Sequence, residues 1–157
     1  MKLLQHKWLM RTHIAPEKLN KWSPDVPDLC VKCLTEKGTL IHCVWECPKL
    51  MDFWKRAVCT LSTITGTQVP CIAKLCILGV YPDHFHVNSR CKTLINFGLL
   101  QARRRPKEAW RESEMPSTKS WIKELSMCVT LEKLTYIVRG QEFEEIWTPL
   151  MDFLKQQ

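Results

Sequence analysis

The sequence lacks any apolar run long enough to cross a bilayer. Its most apolar stretch, CIAKLCILGVY at residues 71–81, is interrupted by Lys74, whereas a membrane-spanning helix needs about 20 predominantly apolar residues. The first fifteen residues carry Lys2, Lys7 and Arg11 and have no uninterrupted apolar segment of the kind that secretory signals contain. We therefore expect a soluble protein with no membrane partner, located inside the cell in the cytoplasm, the nucleus or both.

The motifs of several common enzyme classes are also missing. The sequence contains no HExxH, no G-x-S-x-G, no glycine-rich phosphate loop and no stretch that offers the paired aspartates of a polymerase. Internal repeats and low-complexity segments are missing as well. We expect a protein that does not catalyse a reaction.

Positive charge is in excess and is unevenly distributed along the chain. The 157 residues include 23 Lys and Arg against 16 Asp and Glu, which gives a net charge of +7. The last seventeen residues are net acidic, whereas one short segment holds a basic run made of Arg103, Arg104, Arg105, Lys107 and Arg111. A surplus of this kind favours polyanionic partners.

Apolar residues recur at helical spacing through most of the chain, which predicts a mainly α fold in which several amphipathic helices surround one core. Three helices have predicted ends, at Pro48 and Gly66, at Asn88 or Ser89 and Pro106, and at Ser117 and Gly140. Helix is also expected in two pieces over residues 2–22 and again over 142–154, and a short strand or irregular segment over 69–81. We divide the chain into a helical lead-in (1–27), a zinc-binding loop or hairpin with its following helix (28–66) and a helical C-terminal region (67–157).

Five potential metal ligands lie between residues 29 and 48, namely Cys30, Cys33, His42, Cys43 and Cys47. A C-x2-C pair is typical of structural zinc sites, which take four ligands, so one of the five is surplus. Either His42 or Cys43 can complete the set with Cys47, and their spacing alone does not choose between them. Zn²⁺ is the expected cofactor, because clustered cysteines in a reducing compartment bind metal more often than they form disulfides.

The run EKGTLIHCVWECPKLMDFW resembles the zinc-binding segment near the C-terminus of the reverse transcriptases of non-LTR retrotransposons. The similarity is greatest to the second open-reading-frame protein of vertebrate long interspersed elements. Four further stretches resemble that family in the same order, so the similarity covers nearly the whole chain: RTHIAPEKL, LCILGVYP, INFGLLQARR and PSTKSWIKELSMCVTLEKLTYIV.

The resemblance implies a ligand set and a function. Its metal ligands correspond to Cys30, Cys33, His42 and Cys47, and Cys43 corresponds to a position that need not bind metal. The family's endonuclease and polymerase domains have no counterpart here. The matching part is the C-terminal nucleic-acid-binding region, which implies sequence-nonspecific binding of RNA or single-stranded nucleic acid within a retroelement ribonucleoprotein.

The expected contacts with nucleic acid follow from charge and aromatic character. Trp45 lies between two ligands, where an indole can stack on a base or pack internally against Leu50 or Trp54. The expected phosphate contacts are Lys32, Lys37, Arg103, Arg104, Arg105, Lys107 and Arg111. Two alternatives stay open, a structural zinc-dependent module for protein interaction and a decayed retroelement fragment with no selected function.

Overall fold

A computed structural model describes residues 6, 10, 12–108, 115–140 and 142–156. These residues are mainly helical, which confirms the predicted fold class. Single turns of π-helix lie at His42–Glu46 and Lys74–Leu78. The α-helices are α1 (Pro16–Trp22), α2 (Pro48–Thr65), α3 (Ser89–Ala102), α4 (Arg104–Glu108), α5 (Thr118–Val138) and α6 (Glu144–Lys155).

The predicted starts of α2, α3 and α5 and the end of α2 at Gly66 are confirmed, because local capping sets them, whereas α3 ends at Ala102 and not at Pro106. Pro48 begins α2, and Gly66 ends it with a φ of 64°, which a residue without Cβ adopts readily. The Asn88 side chain accepts a hydrogen bond of 2.8 Å from the backbone N–H of Cys91 at the start of α3. Ser117 caps α5 in the same way.

Helices α2 and α3 form the centre of the core. They approach closely at Gly98, where an added Cβ would overlap the side chain of Leu61. Trp121 of α5 is fully buried over this contact, and its indole N–H donates to the Gly98 carbonyl at 3.1 Å. Helix α6 packs on both α2 and α3. Its Trp147 packs edge-on against Phe97, with 4.8 Å between ring centroids.

Of the two alternatives for residues 69–81, the short strand is wrong and the irregular segment is confirmed, because irregular backbone flanks the second π-helical turn there and no strand is present. The buried stripe of α5 comprises Trp121, Leu125 and Val129, whereas Leu134 and Val138 are exposed. Beyond Val129, α5 contacts the core through Tyr136, whose ring packs edge-on against Phe143 and Trp147.

The basic run is divided between two helices, as the position of Pro106 predicts. Helix α3 ends at Ala102, and α4 begins at Arg104. Proline has no N–H to donate to the carbonyl four residues earlier, and its ring crowds that carbonyl, so α3 does not continue through residue 106. Helix α4 contacts the first π-helical turn, which places part of the basic run beside the cysteine cluster.

Among the described residues, no helix combines the length and the apolar character needed to span a membrane.

Candidate metal centre

Cys30 and Cys33 are presented by a tight turn. The backbone N–H of Cys30 donates to the Glu36 carbonyl at 2.8 Å, and the N–H of Leu34 donates to the Cys30 carbonyl at 2.8 Å. An antiparallel bridge between Leu29 and Lys37 closes the turn. Leu34 has a φ of 60°, a left-handed conformation that glycine adopts more readily than leucine. The turn therefore directs both thiols to the same side of the loop.

The first π-helical turn positions the second pair of ligands. The N–H of Cys47 donates to the carbonyl of His42 at 2.9 Å, a hydrogen bond that spans five residues. In an α-helix, residues five apart point about 140° away from each other, and residues four apart share a face. The additional residue in the π-helical turn instead brings His42 and Cys47 together. The α-helical periodicity that would favour Cys43 with Cys47 therefore does not apply.

The four predicted ligands form one cluster, with all their ligand atoms within 4.8 Å of one another. The Sγ atoms of Cys30 and Cys47 are 3.9 Å apart, and the Cys33 Sγ and His42 Nε2 are 3.4 Å apart. Tetrahedral zinc with bonds of about 2.3 Å to sulfur and 2.0 Å to nitrogen places two sulfurs about 3.8 Å apart and a sulfur and a nitrogen about 3.5 Å apart. The cluster can therefore hold a metal ion, and its dimensions and donor atoms are compatible with zinc.

Cys43 lies beside this cluster rather than in it. Burial raises the pKa of its thiol to about 12, with a further contribution from the neighbouring Cys30. The protonated thiol hydrogen-bonds to Cys30, an arrangement that stabilises a ligand from outside the coordination sphere. Among the five residues of the predicted cluster, Cys43 is the one outside the metal-binding set.

Cys33 has the properties of a ligand thiolate. Burial acts to raise its pKa, but hydrogen bonds from the Thr35 side chain, from the backbone of Thr35 and Glu36 and from His42 outweigh burial and lower the pKa to about 5. The group is therefore deprotonated at neutral pH, which is the form that binds zinc.

The candidate phosphate contact Lys32 is wrong, because its side chain is buried at 4% exposure. Its positive charge acts on Cys43, whose pKa it lowers against the effect of burial. Three thiolates, a neutral histidine and Zn²⁺ together carry one negative charge. With zinc bound, an ammonium group next to the cluster would offset that charge.

Arg103 is also buried, at 3% exposure, and its assignment as a phosphate contact is wrong. Its Nε donates to the Cys76 carbonyl at 2.7 Å and its Nη2 to the Leu75 carbonyl at 3.0 Å. Burial lowers the pKa of Arg103 to about 10, so the guanidinium stays charged at neutral pH. Its role is to hold the second π-helical turn against α3.

The other cations of the basic run are engaged or lie outside the described region. Arg104 and Arg105 both form ion pairs with Glu124 of α5, and Arg104 Nη1 lies 2.6 Å from Glu124 Oε1. Lys107 belongs to α4, but its side chain is not described, and Arg111 lies outside the described residues. Contacts with phosphate stay predictions for Arg104, Arg105, Lys107 and Arg111. At Arg104 and Arg105 a phosphate would have to compete with the carboxylate of Glu124.

Lys37 and Trp45 both have internal partners near the metal centre. Lys37 Nζ lies 3.3 Å from Glu17 Oε1 and 3.9 Å from Asp28 Oδ2, although its side chain is 54% exposed. The half-buried ring of Trp45 contacts Trp54, with 5.7 Å between centroids. Packing on Trp54 is one of the two alternatives for Trp45, and stacking on a base stays a prediction.

The sequence did not predict a groove that runs beside the metal centre. It has a volume of about 940 Å³ and lies between α1, the start of the first π-helical turn and the end of the second. Its apolar lining includes Leu40, Ile41, Val44, Ile77 and Leu78, and its α1 side carries Glu17, Lys18, Lys21 and Trp22. The sequence carried one signal for this groove, because the short segment 16–22 holds Trp22 and two lysines. The structure adds that α1 has no buried residue.

Comparison with protein-family models gives no match for this chain.

Proposed function

We propose that the chain is a non-catalytic, zinc-stabilised module, derived from a retrotransposon reverse transcriptase, that binds RNA or single-stranded nucleic acid without reading its sequence. The observation that carries the proposal is the combination of lysines and an exposed indole on α1, next to the Cys3His cluster. Trp22 is 61% exposed, and Lys18 Nζ lies 5.2 Å from the centre of its ring.

Lysine and tryptophan supply the two interactions that unselective single-strand binding requires. Lys18 and Lys21 are exposed and can neutralise phosphates, with release of condensed counterions. The face of Trp22 can stack on any base, since every base has a π surface. Contacts of this kind, to phosphates and to the faces of bases, carry no sequence information.

The metal cluster positions this surface through Gly38. The N–H of Glu17 at the start of α1 donates to the Gly38 carbonyl at 3.2 Å, and the N–H of Gly38 donates to the Asp28 carbonyl at 2.7 Å. A Cβ at Gly38 would lie 2.8 Å from Pro16, so the loop and α1 are in direct contact. Because α1 buries no residue of its own, its position depends on the loop, and the loop depends on its ligands.

Fluorescence anisotropy with a labelled single-stranded RNA tests the proposal. The logarithm of affinity should fall linearly with the logarithm of salt concentration, with a slope of about 0.9 or less per phosphate contacted. The double variant Lys18→Glu/Lys21→Glu should lose binding, and Trp22→Ala should weaken it. The matched control is Lys119→Glu/Lys123→Glu, which makes the same charge change on α5, a helix that contributes nothing to the groove.

Two results would count against nucleic-acid binding by the α1 surface. One is an affinity that does not change with salt, and the other is equal loss of affinity in the α1 variant and the α5 control. The second result would mean that only net charge matters and that the groove has no part in binding.

A protein-interaction module is the second candidate, and the apolar lining of the groove favours it. Ile41 is 44% exposed and Leu78 is 39% exposed at its rim, and apolar surface of this kind is typical of peptide-binding grooves. In that case the α1 charge reversal would leave partner binding intact, whereas Ile41→Asp would abolish it without changing the affinity for RNA.

A further inference from the structure

Helix α5 has two apolar faces. One is the buried stripe of Trp121, Leu125 and Val129. The other lies in the second half of the helix and is 56–87% exposed, and we call it the outer stripe: Met127, Leu131, Leu134 and Val138, with Ile137 beside them. At about 100° per residue, the first four members lie within about 60° of one another and about 150° from the buried stripe. The outer stripe therefore faces away from the core.

The outer stripe is held in this orientation, because the opposite side of the same segment is fixed to the core. The ring of Tyr136 packs edge-on against Phe143 and Trp147, with 5.7 and 6.3 Å between centroids. Lys133 Nζ lies 5.8 Å from the centre of the Phe143 ring. Rotation of α5 to bury the outer stripe would break these contacts.

The area of the outer stripe is large for a surface that stays in water. At their observed exposures its five side chains leave roughly 600 Å² open on each chain, and monomeric proteins rarely expose apolar patches above a few hundred Å². Pairing of two such surfaces would bury about 1,200 Å² in total, which is the lower end of the range for specific protein complexes. A second copy of the chain supplies the matching surface.

The spacing of the outer stripe favours a second copy in antiparallel orientation. Met127, Leu131, Leu134 and Val138 are separated by four, three and four positions, a series that is the same in both directions. A twofold axis between positions 131 and 134 therefore places Leu131 of one copy opposite Leu134 of the other, and Met127 opposite Val138. A twofold interface requires such self-complementarity, and alternating gaps of three and four are typical of paired helices.

Charged side chains lie away from the outer stripe. Between positions 127 and 138 the charged residues are Glu132 and Lys133, and each lies about 130° around the helix from the centre of the stripe. Thr130 and Thr135 flank the stripe, and each hydroxyl donates to a backbone carbonyl four residues earlier. Two copies therefore meet without repulsion between like charges, whereas a polyanion finds no cation on this face.

We propose that the outer stripe is a dimer interface, in which α5 pairs with α5 of a second copy in antiparallel orientation. The interface uses neither the metal centre nor the α1 surface. Its test can therefore fail or succeed independently of the test of nucleic-acid binding.

Sedimentation equilibrium of the zinc-loaded protein over roughly 1–100 µM tests the proposal, because interfaces of this size cover a wide range of affinity. The mass of the unmodified chain should rise with concentration from 18.5 kDa towards twice that value. The double variant Leu131→Glu/Leu134→Glu should stay at 18.5 kDa throughout. All these side chains are exposed, so circular dichroism and metal content should not change.

The matched control is Leu78→Glu/Val80→Glu, which makes the same kind of change at two exposed apolar residues outside α5, one of them in the groove. It should form dimers as the unmodified chain does. Loss of dimers in this control, with dimers retained in Leu131→Glu/Leu134→Glu, would assign association to the groove and overturn the proposal.

Two single variants test the orientation. Leu131→Glu and Leu134→Lys should each be monomeric alone, because each buries an unpaired charge in the dimer. An equal mixture should form dimers, since the carboxylate introduced at position 131 of one copy faces the ammonium introduced at position 134 of the other. In a parallel pair each position faces itself, and the mixture would not recover.

Three further outcomes would overturn the proposal. The first is a mass of 18.5 kDa for the unmodified chain at every concentration, which would leave the outer stripe to a different partner. The second is a dimer that persists in Leu131→Glu/Leu134→Glu. The third is a mixture of the two single variants that stays monomeric, which would exclude the antiparallel pairing.

Discussion

The regions on either side of Pro48 are stabilised in different ways. We call residues 12–47 the metal loop and the described residues from Pro48 onward the helical core. Helix α1 of the metal loop buries no residue, and the buried groups of the loop include the candidate ligands Cys30, His42 and Cys47. Helix α2 alone buries seven residues. A metal ion bound by the cluster would supply the metal loop with the stabilisation that apolar packing gives to the core.

The two regions meet at a hydrogen bond and an aromatic contact. The fully buried Trp54 of α2 donates its indole N–H to the Val44 carbonyl at 2.9 Å, and its ring contacts Trp45. A side chain of the core thus holds the first π-helical turn from one side, and the candidate metal ligands lie on the other. The difference between the regions predicts that each can be weakened separately, and four changes of decreasing effect test this.

Loss of a ligand should have the largest effect. His42→Ala should lose the bound metal, whereas Cys43→Ser should retain it, because the imidazole belongs to the cluster and the Cys43 thiol lies beside it. Structural zinc sites contribute an apparent free energy of about 10–16 kcal/mol at neutral pH. Metal analysis of the purified variants measures the outcome. The reverse pattern would transfer the ligand role to Cys43.

Hydrogen exchange on His42→Ala or after chelation extends this test to the whole fold. Amides of residues 12–47 should lose protection, and those in the helical core should keep most of theirs. Equal loss of protection in both regions would show that the core depends on the metal as strongly as the loop does.

Removal of a buried indole should have the next largest effect, in the core. Trp121→Ala should cost about 3–5 kcal/mol in the free energy of unfolding, because it leaves a cavity and removes the hydrogen bond from the indole to the Gly98 carbonyl. Trp22→Ala is the matched control on α1, where the indole is 61% exposed, and should change stability by less than about 0.5 kcal/mol. Denaturant titration compares them, and metal content should stay the same in both. Similar losses of unfolding free energy in the two variants would contradict the inference that apolar packing stabilises the helical core and not α1.

A smaller loss is expected at the contact between α2 and α3. Gly98→Ala should cost about 1–3 kcal/mol in the free energy of unfolding, because the added methyl overlaps Leu61. Combination with Leu61→Ala should cost less than the sum of the two single changes, because the second substitution makes room for the methyl. Additive costs in the double variant would show that the two residues do not compete for the same space.

The smallest effect is expected at Leu34, and it should be favourable. Its left-handed φ of 60° costs leucine roughly 1–2 kcal/mol relative to glycine, against about 0.5–1 kcal/mol of additional chain entropy that glycine loses on folding. Leu34→Gly should therefore raise the zinc affinity less than about tenfold, as measured by competition with a chromophoric chelator. Weaker binding in Leu34→Gly would mean that the leucine side chain stabilises the turn by more than its backbone strain costs.

Local sequence signals predicted the helices well, because caps act over a few residues. Asn88 and Ser117 begin their helices with side-chain hydrogen bonds, and Pro106 divides the basic run because proline lacks an N–H. For residues 69–81 the sequence left a short strand and an irregular segment open, and the strand is absent, since β-branched residues occur in packed irregular segments as well as in strands.

The charged residues illustrate the opposite case. Lys and Arg are rarely buried, so a sequence-based prediction places both Lys32 and Arg103 at the surface. Lys32 is buried because its charge acts near the metal ligands, and Arg103 because two backbone carbonyls at the end of a distant turn accept its hydrogen bonds. In both cases the partner lies too far away along the chain for a sequence pattern to reveal it.

The sequence by itself determined the helical architecture, the positions of most helix ends and the five residues from which a metal site could be built. These follow from side-chain periodicity, capping and ligand chemistry, all of which act over short distances. Only the tertiary structure decided that His42 lies in the cluster and Cys43 beside it, because a π-helical turn changes which residues share a face. It also decided which cations remain at the surface, since that depends on contacts between segments far apart in the chain.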